Sequence, residues 1–152
     1  MSEKLSASLE DYLESIAFLA GSSGETHAAD IADSMGVSRP SVTSALKALS
    51  SKGMINYRPY SRISLTDEGK LQALLVTRKH ETLSRFFNEV LGVEKKLAND
   101  AACRVEHAIG EVITDRLVQF LGFIDRCPVA EVSGFKYHSR HGKGPEKENA
   151  HK

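Results

Sequence analysis

The fold is decided by residues 27–65, which read HAADIADSMGVSRPSVTSALKALSSKGMINYRPYSRISL. The opening residues predict a short helix that ends at Gly36, because glycine readily adopts the left-handed conformation common at helix C-termini. Ser38 is a good N-cap for a second helix, and Pro40 falls in its first turn, where proline is tolerated. Gly53 ends that second helix. The stretch therefore predicts two helices joined by a glycine-containing turn.

Two short β-like runs follow these helices, at residues 54–58 and 62–65, joined by Pro59-Tyr60-Ser61. Runs rich in β-branched and aromatic residues on either side of a short turn predict a hairpin. Helix, turn, helix and hairpin is the order of a winged helix-turn-helix. The second helix of such a pair enters the major groove of DNA and presents its N-terminal residues to the bases. The order of elements therefore indicates a DNA-binding domain.

The charges of this chain are unevenly placed, although its 20 basic and 20 acidic residues cancel. Residues 3–33 hold seven acidic side chains and one Lys, whereas residues 38–66 hold five basic side chains and no acidic one. A basic block within a neutral protein indicates a local site for a polyanion. The charges alone also allow a helical bundle with a solvated Lys/Arg face, but the helix-turn-helix-hairpin order favours DNA binding.

Ten residues of the basic block are candidates for contact with DNA. The Arg39 side chain can bond guanine in a bidentate manner or hold a phosphate, and the hydroxyls can bond bases or phosphates. Because few of these groups can read bases, sequence selectivity is expected to depend partly on DNA shape. The candidates are Ser38, Arg39, Pro40, Ser41, Thr43, Ser44 and Lys47 on the helix, with Arg58, Tyr60 and Arg62 on the hairpin.

Outside this stretch the spacing of apolar residues predicts helices on both sides. Helices are expected over residues 5–20, 66–91, 94–109 and 111–121. The fold class is therefore mainly α, with an N-terminal winged helix-turn-helix followed by an all-helical domain.

The expected domains are residues 1–70 for DNA binding, 71–127 for a helical domain, and 128–152 for a flexible tail. The last segment is rich in Gly, Lys, His and Glu, a composition that does not form a core. No apolar run approaches the roughly 20 residues of a membrane span, and the N-terminus lacks the apolar core of a signal peptide. A cytoplasmic protein without membrane contact is therefore expected.

A Cys-x-x-Glu-His cluster is formed by Cys103, Glu106 and His107. On a helix these spacings place the three side chains on one face. A thiolate, a carboxylate and an imidazole together suit a first-row divalent metal. A lone helical histidine is more often a satisfied core residue, and two acids three apart are commonly a surface pair, so other donors are weaker candidates alone. These other donors are Asp11 and Glu14 on the first helix and His80 on the long helix.

Over about residues 6–127 the chain resembles the DtxR/MntR family of metal-dependent repressors. The resemblance rests on EDYLE at 10–14, VSRPSVT at 37–43, LTDEG at 65–69, RKH at 78–80 and DAACRVEH at 100–107. The last block is the most specific. The resemblance implies a winged helix followed by a helical dimerisation domain, with metal sites between these and the first helix. It implies a short form without the family's SH3-like domain.

The resemblance also implies a set of metal ligands. Five positions match ligands of the manganese-responsive branch: Asp11, Glu14, His80, Glu106 and His107. Cys103 departs from that branch, which has a carboxylate there, and matches the iron-responsive branch. Other features of the iron branch are missing, because Asp11 stands where it has a Met, and Ser84 and Asn99 stand where it has a Glu and a His of its second site. The site is thus a hybrid of the two branches.

The donor types bear on the choice of metal. A thiolate favours Fe(II), Co(II), Ni(II) or Zn(II) over Mn(II), whereas carboxylates and imidazoles admit both classes. Fe(II) is therefore the expected cofactor and Mn(II) the alternative. The number of donors is also compatible with two ions per subunit, bridged by Glu106 or Glu14.

The expected function is a metal-dependent transcriptional repressor of metal-homeostasis genes, with the metal as corepressor. The expected partners are a second copy of the chain and a palindromic double-stranded operator. A winged-helix regulator with a structural metal or an organic effector is the alternative. An enzyme is not expected, because no nucleophile-base motif is present. Dimerisation is expected through apolar residues after the hairpin: Phe86, Phe87, Val90, Leu117, Val118, Phe120 and Leu121.

Overall fold

The computed structural model describes residues 4–126 together with the backbone of residues 131–132 and 135–136. The chain divides into two compact units, residues 1–78 and the residues from 79 onward. Cys127 and most of the tail expected over 128–152 lie outside the described residues. None of the described helices is both long enough and apolar enough to span a bilayer. The expected fold class, mainly α with a winged helix-turn-helix, is confirmed.

The first unit is a winged helix-turn-helix. Its elements are α1 (Ala7–Ala20), a 3₁₀ turn (Gly21–Ser23), α2 (Ala28–Met35), α3 (Arg39–Ser51), β1 (Ile55–Asn56) and β2 (Ser64–Leu65). Gly36 ends α2 with a φ of 65°, in the left-handed region. The Ser38 Oγ accepts a hydrogen bond from the Ser41 N–H at 3.3 Å and so caps α3. Gly36 thus ends α2 and Ser38 caps α3, as the sequence predicts.

The core of the first unit lies among its three helices and the hairpin. Its fully buried side chains are Leu13, Ile16, Ile31, Val42, Leu46, Leu49 and Ile63. The strands β1 and β2 are antiparallel and two residues long, shorter than the runs 54–58 and 62–65 suggested. The hairpin gains a further bridge, because Thr26 and Ile63 exchange backbone hydrogen bonds of 2.9 and 2.8 Å. This bridge connects the wing to the segment just before α2.

A compact joint connects the hairpin to the next helix, α4 (Asp67–Arg85). The Thr66 Oγ1 accepts from the Gly69 N–H at 3.0 Å and lies 2.6 Å from the Gly53 carbonyl oxygen, to which it donates. The Thr66 N–H donates to the Met54 carbonyl oxygen at 3.0 Å. A Cβ atom on Gly69 would lie only 1.9 Å from that same oxygen. The Thr and the Gly of the LTDEG block are therefore both required by the backbone.

The second unit contains the end of α4 and the elements that follow it. These are a π-helical segment (Phe86–Val90), α5 (Lys95–Val105), α6 (Glu111–Arg126) and a short antiparallel pair, β3 (Glu131–Val132) and β4 (Phe135–Lys136). One continuous helix over 66–91 was the expectation. The last turn widens instead, because the N–H of Leu91 bonds the Phe86 carbonyl at 3.1 Å. Helix α5 ends at Val105 rather than at 109.

Helix α6 is longer than the sequence predicted, since it continues past 121 to Arg126. Leu121 and Ile124 explain the extension, because both are buried and join Val90 and Phe86 in the apolar cluster of the second unit. The apolar stripe thus runs one turn further than the pattern up to 121 suggested. The opposite face of α6 is exposed.

Candidate functional site

The exposed face of α3 carries the predicted DNA-contact residues. Ser38, Arg39, Pro40, Ser41, Ser44 and Lys47 are exposed, and Thr43 is half-buried. Several hydroxyls already have local partners: the Oγ atoms of Ser38 and Ser41 are 2.8 Å apart, and the Thr43 Oγ1 donates to the Arg39 carbonyl at 3.1 Å. Within the described residues no ion pair holds the side chains of Arg39 or Lys47. Both cations are therefore available to an external anion.

The wing presents the other three predicted residues. Arg58 and Tyr60 are exposed, and Arg62 lies 3.4 Å from the Glu25 carboxylate in an ion pair exposed on both sides. Such exposed pairs are weak. Sequence reasoning missed Glu25, because it lies 37 residues away and reaches Arg62 only through the Thr26–Ile63 bridge. The pair leaves Arg62 able to exchange Glu25 for a phosphate.

Helices α4 and α5 bring several of the predicted metal ligands together within the second unit. Donor atoms of His80, Cys103 and Glu106 all lie within 4.8 Å of one another. The His80 Nδ1 lies 2.7 Å from the Glu106 Oε2, and the His107 Nε2 lies 3.4 Å from the Glu106 Oε1. The sequence placed Cys103, Glu106 and His107 on one helical face, and Glu106 still has helical backbone angles at the end of α5. His80 joins them from the neighbouring helix.

The central carboxylate of this cluster is fully buried. Glu106 is 0% exposed, whereas the His80 and His107 side chains are 28% and 13% exposed and Cys103 lies at the surface. A buried carboxylate is costly unless cationic or hydrogen-bonding groups surround it. Here two imidazoles and a thiol surround it, and this set of N, O and S donors fits a first-row divalent cation. The residues present are thus suited to the metal that the sequence predicts.

The two remaining predicted ligands, Asp11 and Glu14, belong to α1 of the first unit and are half-buried there. The Thr77 Oγ1 of α4 donates to the Glu14 Oε1 at 3.1 Å. Sequence reasoning missed Thr77, although it stands three residues before His80 and so on the same face of α4. Thr77 therefore fixes the orientation of a predicted ligand from within the first unit.

The positions noted for a second metal site carry neutral groups. The Ser84 hydroxyl donates to the Asn99 side-chain oxygen and so links α4 to α5. Both residues line a polar cavity of about 480 Å³, together with His80, Arg85, Asn88 and Lys95. Glu81 and Glu89 also line this cavity, but Ser84 and Asn99 themselves supply only hydroxyl and amide oxygens, which are weaker ligands for a transition metal than carboxylate or imidazole.

Arg85 at the edge of this cavity is held by two acids. It bonds Glu89 at 2.7 Å and Asp125 of α6. Partial burial would lower the pKa of Arg85, but its hydrogen bonds and charge interactions with Asp125 and Glu89 raise it above its ordinary value. The Arg85 guanidinium thus links α4 to α6.

The exposed face of α6 is unusually apolar. Its exposed large side chains are Val112, Ile113, Val118, Phe120 and Phe123. Two residues expected on a dimerisation surface are not available: Leu121 and Val90 are 3% and 6% exposed and belong to the unit's own core. Phe86 packs edge-on against Phe120 at 6.2 Å between ring centroids. The apolar surface is therefore centred on α6.

Comparison with known proteins accounts for both units. Residues 4–63 match the iron dependent repressor N-terminal DNA binding domain, and residues 66–132 match the iron dependent repressor metal binding and dimerisation domain. An uncharacterized HTH-type transcriptional regulator of Methanocaldococcus jannaschii is 36% identical over 118 residues, 77% of this chain and 94% of that protein. The transcriptional regulator MntR of Salmonella typhimurium is 34% identical over 74% of this chain and 71% of that protein.

The diphtheria toxin repressor of Corynebacterium efficiens is 30% identical over 66% of this chain, which spans 44% of that protein. Among solved structures, a manganese-dependent transcriptional repressor in complex with manganese has a TM-score of 0.69 and 28% identity, covering 79% of this chain and 55% of that chain. IdeR of T. acidophilum has a TM-score of 0.66 and 28% identity, covering 88% and 62%. The chain therefore belongs to the DtxR/MntR family of iron dependent repressors, which are metal-dependent transcriptional regulators.

Proposed function

We propose that this protein represses metal-homeostasis genes and that Fe(II) is its corepressor, with Mn(II) as the alternative metal. One observation carries the choice of metal: the Cys103 thiol lies in the same 4.8 Å cluster as His80 and Glu106. A thiolate in the ligand set favours Fe(II) over Mn(II), because the softer ligand favours the metal later in the first row.

His80, Cys103, Glu106 and His107 would hold the cation in the second unit. When bound, the cation supplies the positive charge that a fully buried carboxylate needs. Asp11 and Glu14 of α1 are proposed to complete the ligand set, as the family resemblance implies. Under this proposal Asp11 and Glu14 would join Glu106 around the cation, and these three acids would repel one another without it. Metal loading would in this way restrict α1 and favour the state that binds DNA.

In the DNA-bound state α3 is proposed to enter the major groove. Arg39 and Ser44 would face base edges, while Lys47 and the wing cations would face phosphates. A second copy, docked through the apolar face of α6, would place the two α3 helices on successive major-groove faces about 34 Å apart. The operator is accordingly a palindrome of two half-sites.

The deciding experiment is anaerobic operator binding, measured by fluorescence anisotropy at one salt concentration and titrated separately with buffered Fe(II) and Mn(II). The duplex is a palindrome selected from a random pool by the metal-loaded protein. Half-maximal binding at lower free Fe(II) than free Mn(II) is the expected result. A preference for Mn(II) would contradict the role given to Cys103, and binding that ignores chelation would contradict the corepressor role.

A variant pair separates the metal site from general effects of charge. Glu106→Gln keeps the shape of the buried side chain but removes its charge, and it is expected to abolish metal-dependent binding while the far-UV circular dichroism stays that of the wild type. Glu111→Ala removes an exposed acid of the same unit and is expected to bind the operator normally. Equal behaviour of the two variants would show that Glu106 has no special role.

A further inference from the structure

The wing tip is a tight turn with an unusual residue at its third position. The Ser61 N–H donates to the Arg58 carbonyl oxygen at 3.1 Å, which closes a four-residue turn. Pro59 occupies the second position, and Tyr60 occupies the third with a φ of 63°. A proline followed by a residue of positive φ is the pattern of a type II turn, whose third position normally holds Gly or Asn.

The backbone of Tyr60 is therefore in an unfavourable conformation. Among the described residues it is the only non-glycine with a positive φ. A bulky side chain there clashes with its own backbone, and such conformations persist only where neighbouring contacts enforce them. The Ser61 hydroxyl supplies one such contact, because it donates to the Arg58 carbonyl at 2.8 Å. This hydrogen bond helps to hold Tyr60 in its strained conformation.

The ring of Tyr60 contributes no packing energy that would offset this strain. Its exposure is 109% of the reference value, so the ring makes no packing contact within the described structure. Tyr60 has an unfavourable backbone conformation and an exposed side chain, so a contribution to the stability of the fold does not explain why a tyrosine stands here. Strain of this kind clusters at binding sites.

We propose that Tyr60 is a wedge that packs its ring into the minor groove beside each half-site of the operator. This inference rests on the proposed function. Two exposed wing cations stand two residues before and two residues after Tyr60 in the chain: Arg58, and Arg62, which pairs with the exposed Glu25 carboxylate at 3.4 Å. A narrow minor groove attracts arginine by its negative potential, and apolar side chains inserted there contact sugars and base edges. The ring, not the hydroxyl, supplies the contact.

The test compares Tyr60→Gly, Tyr60→Asn and Tyr60→Phe in the full-length, metal-loaded protein on the selected palindrome together with the flanking bases selected with it. Gly and Asn tolerate the positive φ but remove the ring. Each is expected to weaken DNA binding about tenfold, or about 1.4 kcal/mol, without lowering Tm. The slope of binding against salt is expected to stay unchanged, because no phosphate contact is lost. Tyr60→Phe is expected to bind within about twofold of the wild type, since the ring is kept.

Wild-type affinity in both Tyr60→Gly and Tyr60→Asn would overturn the inference. So would a loss in Tyr60→Phe as large as that in Tyr60→Gly, because the hydroxyl would then be the contact. Phe18→Ala serves as the control, since Phe18 is another exposed aromatic residue of the first unit, and it is expected to bind normally. Failure of the wild-type protein to bind DNA with metal would instead refute the proposed function.

Discussion

Replacing Gly69 by Ala is expected to destabilise the protein by about 2–4 kcal/mol. The added Cβ would lie 1.9 Å from the Met54 carbonyl oxygen and 2.9 Å from its carbon, both backbone atoms that cannot swing aside. The shorter contact must open by about 1.1 Å to reach the 3.0 Å that Cβ atoms tolerate. Such a shift separates the start of α4 from the loop after α3.

The magnitude follows from the contacts that this shift disturbs. The Thr66 N–H bond to Met54 and the Gly69 N–H bond to the Thr66 Oγ1 are both 3.0 Å long. Each contributes about 1 kcal/mol, and forced overpacking adds about 1–3 kcal/mol. Part of this total is recovered by relaxation. A change of this size is a large fraction of the stability of a domain, about 5–15 kcal/mol.

The assay is thermal and urea unfolding of the full chain, followed by circular dichroism. The Tm of Gly69→Ala is expected to fall by about 10 °C or more. Gly122→Ala is the matched control, because it makes the same chemical change inside α6, where the nearest atom to the new Cβ is 3.7 Å away. That control is expected to gain about 0.5–1 kcal/mol. A Gly69→Ala protein within about 0.5 kcal/mol of wild type would refute the close approach of the two backbones.

Substitutions at three further sites test other local interactions. Ser38→Ala removes the cap of α3 and is expected to lower the urea-unfolding free energy by about 1 kcal/mol, whereas Ser38→Asp should retain it. The pKa of Glu94 is lowered because its carboxylate accepts backbone N–H bonds from the first turn of α5. A lowered pKa in the folded state stabilises the fold at pH values above the ordinary pKa of a Glu side chain, and this stabilisation is lost as the pH falls through the lowered pKa. Glu94→Gln should therefore flatten the decline of Tm between about pH 5 and 2. Arg85→Met leaves Asp125 without its cation and should cost about 1–2 kcal/mol, an effect that Asp125→Asn should partly reverse in a double-mutant cycle.

The first unit could be predicted from sequence because its decisive signals are local. Gly36 and Ser38 act on the backbone within a few residues, so their effects do not depend on distant parts of the chain. The same holds for the spacing of Cys103 and Glu106, which one helical turn determines. The existence of these elements was therefore predictable, and so was the close approach of Cys103 and Glu106.

The features that were missed depend on contacts between distant residues or on small differences in backbone energy. The bond from Thr77 to Glu14 and the Glu25–Arg62 pair join residues far apart in sequence. The π-helical turn after Arg85 differs from an α-helix by a single residue in its hydrogen-bond spacing, and no residue type signals it reliably. Periodicity alone also could not separate the buried Leu121 from its exposed neighbour Phe120.

The contrast in exposure between Cys103 and Glu106 bears on how such a protein can change its metal during evolution. Cys103 lies at the surface, so a different donor at this position alters the softness of the proposed ligand set without repacking any core. Glu106 is fully buried, so a substitution there disturbs packing and charge together. Under the proposed function, single substitutions at the exposed Cys103 position can therefore change the metal preference while the buried Glu106 carboxylate is retained.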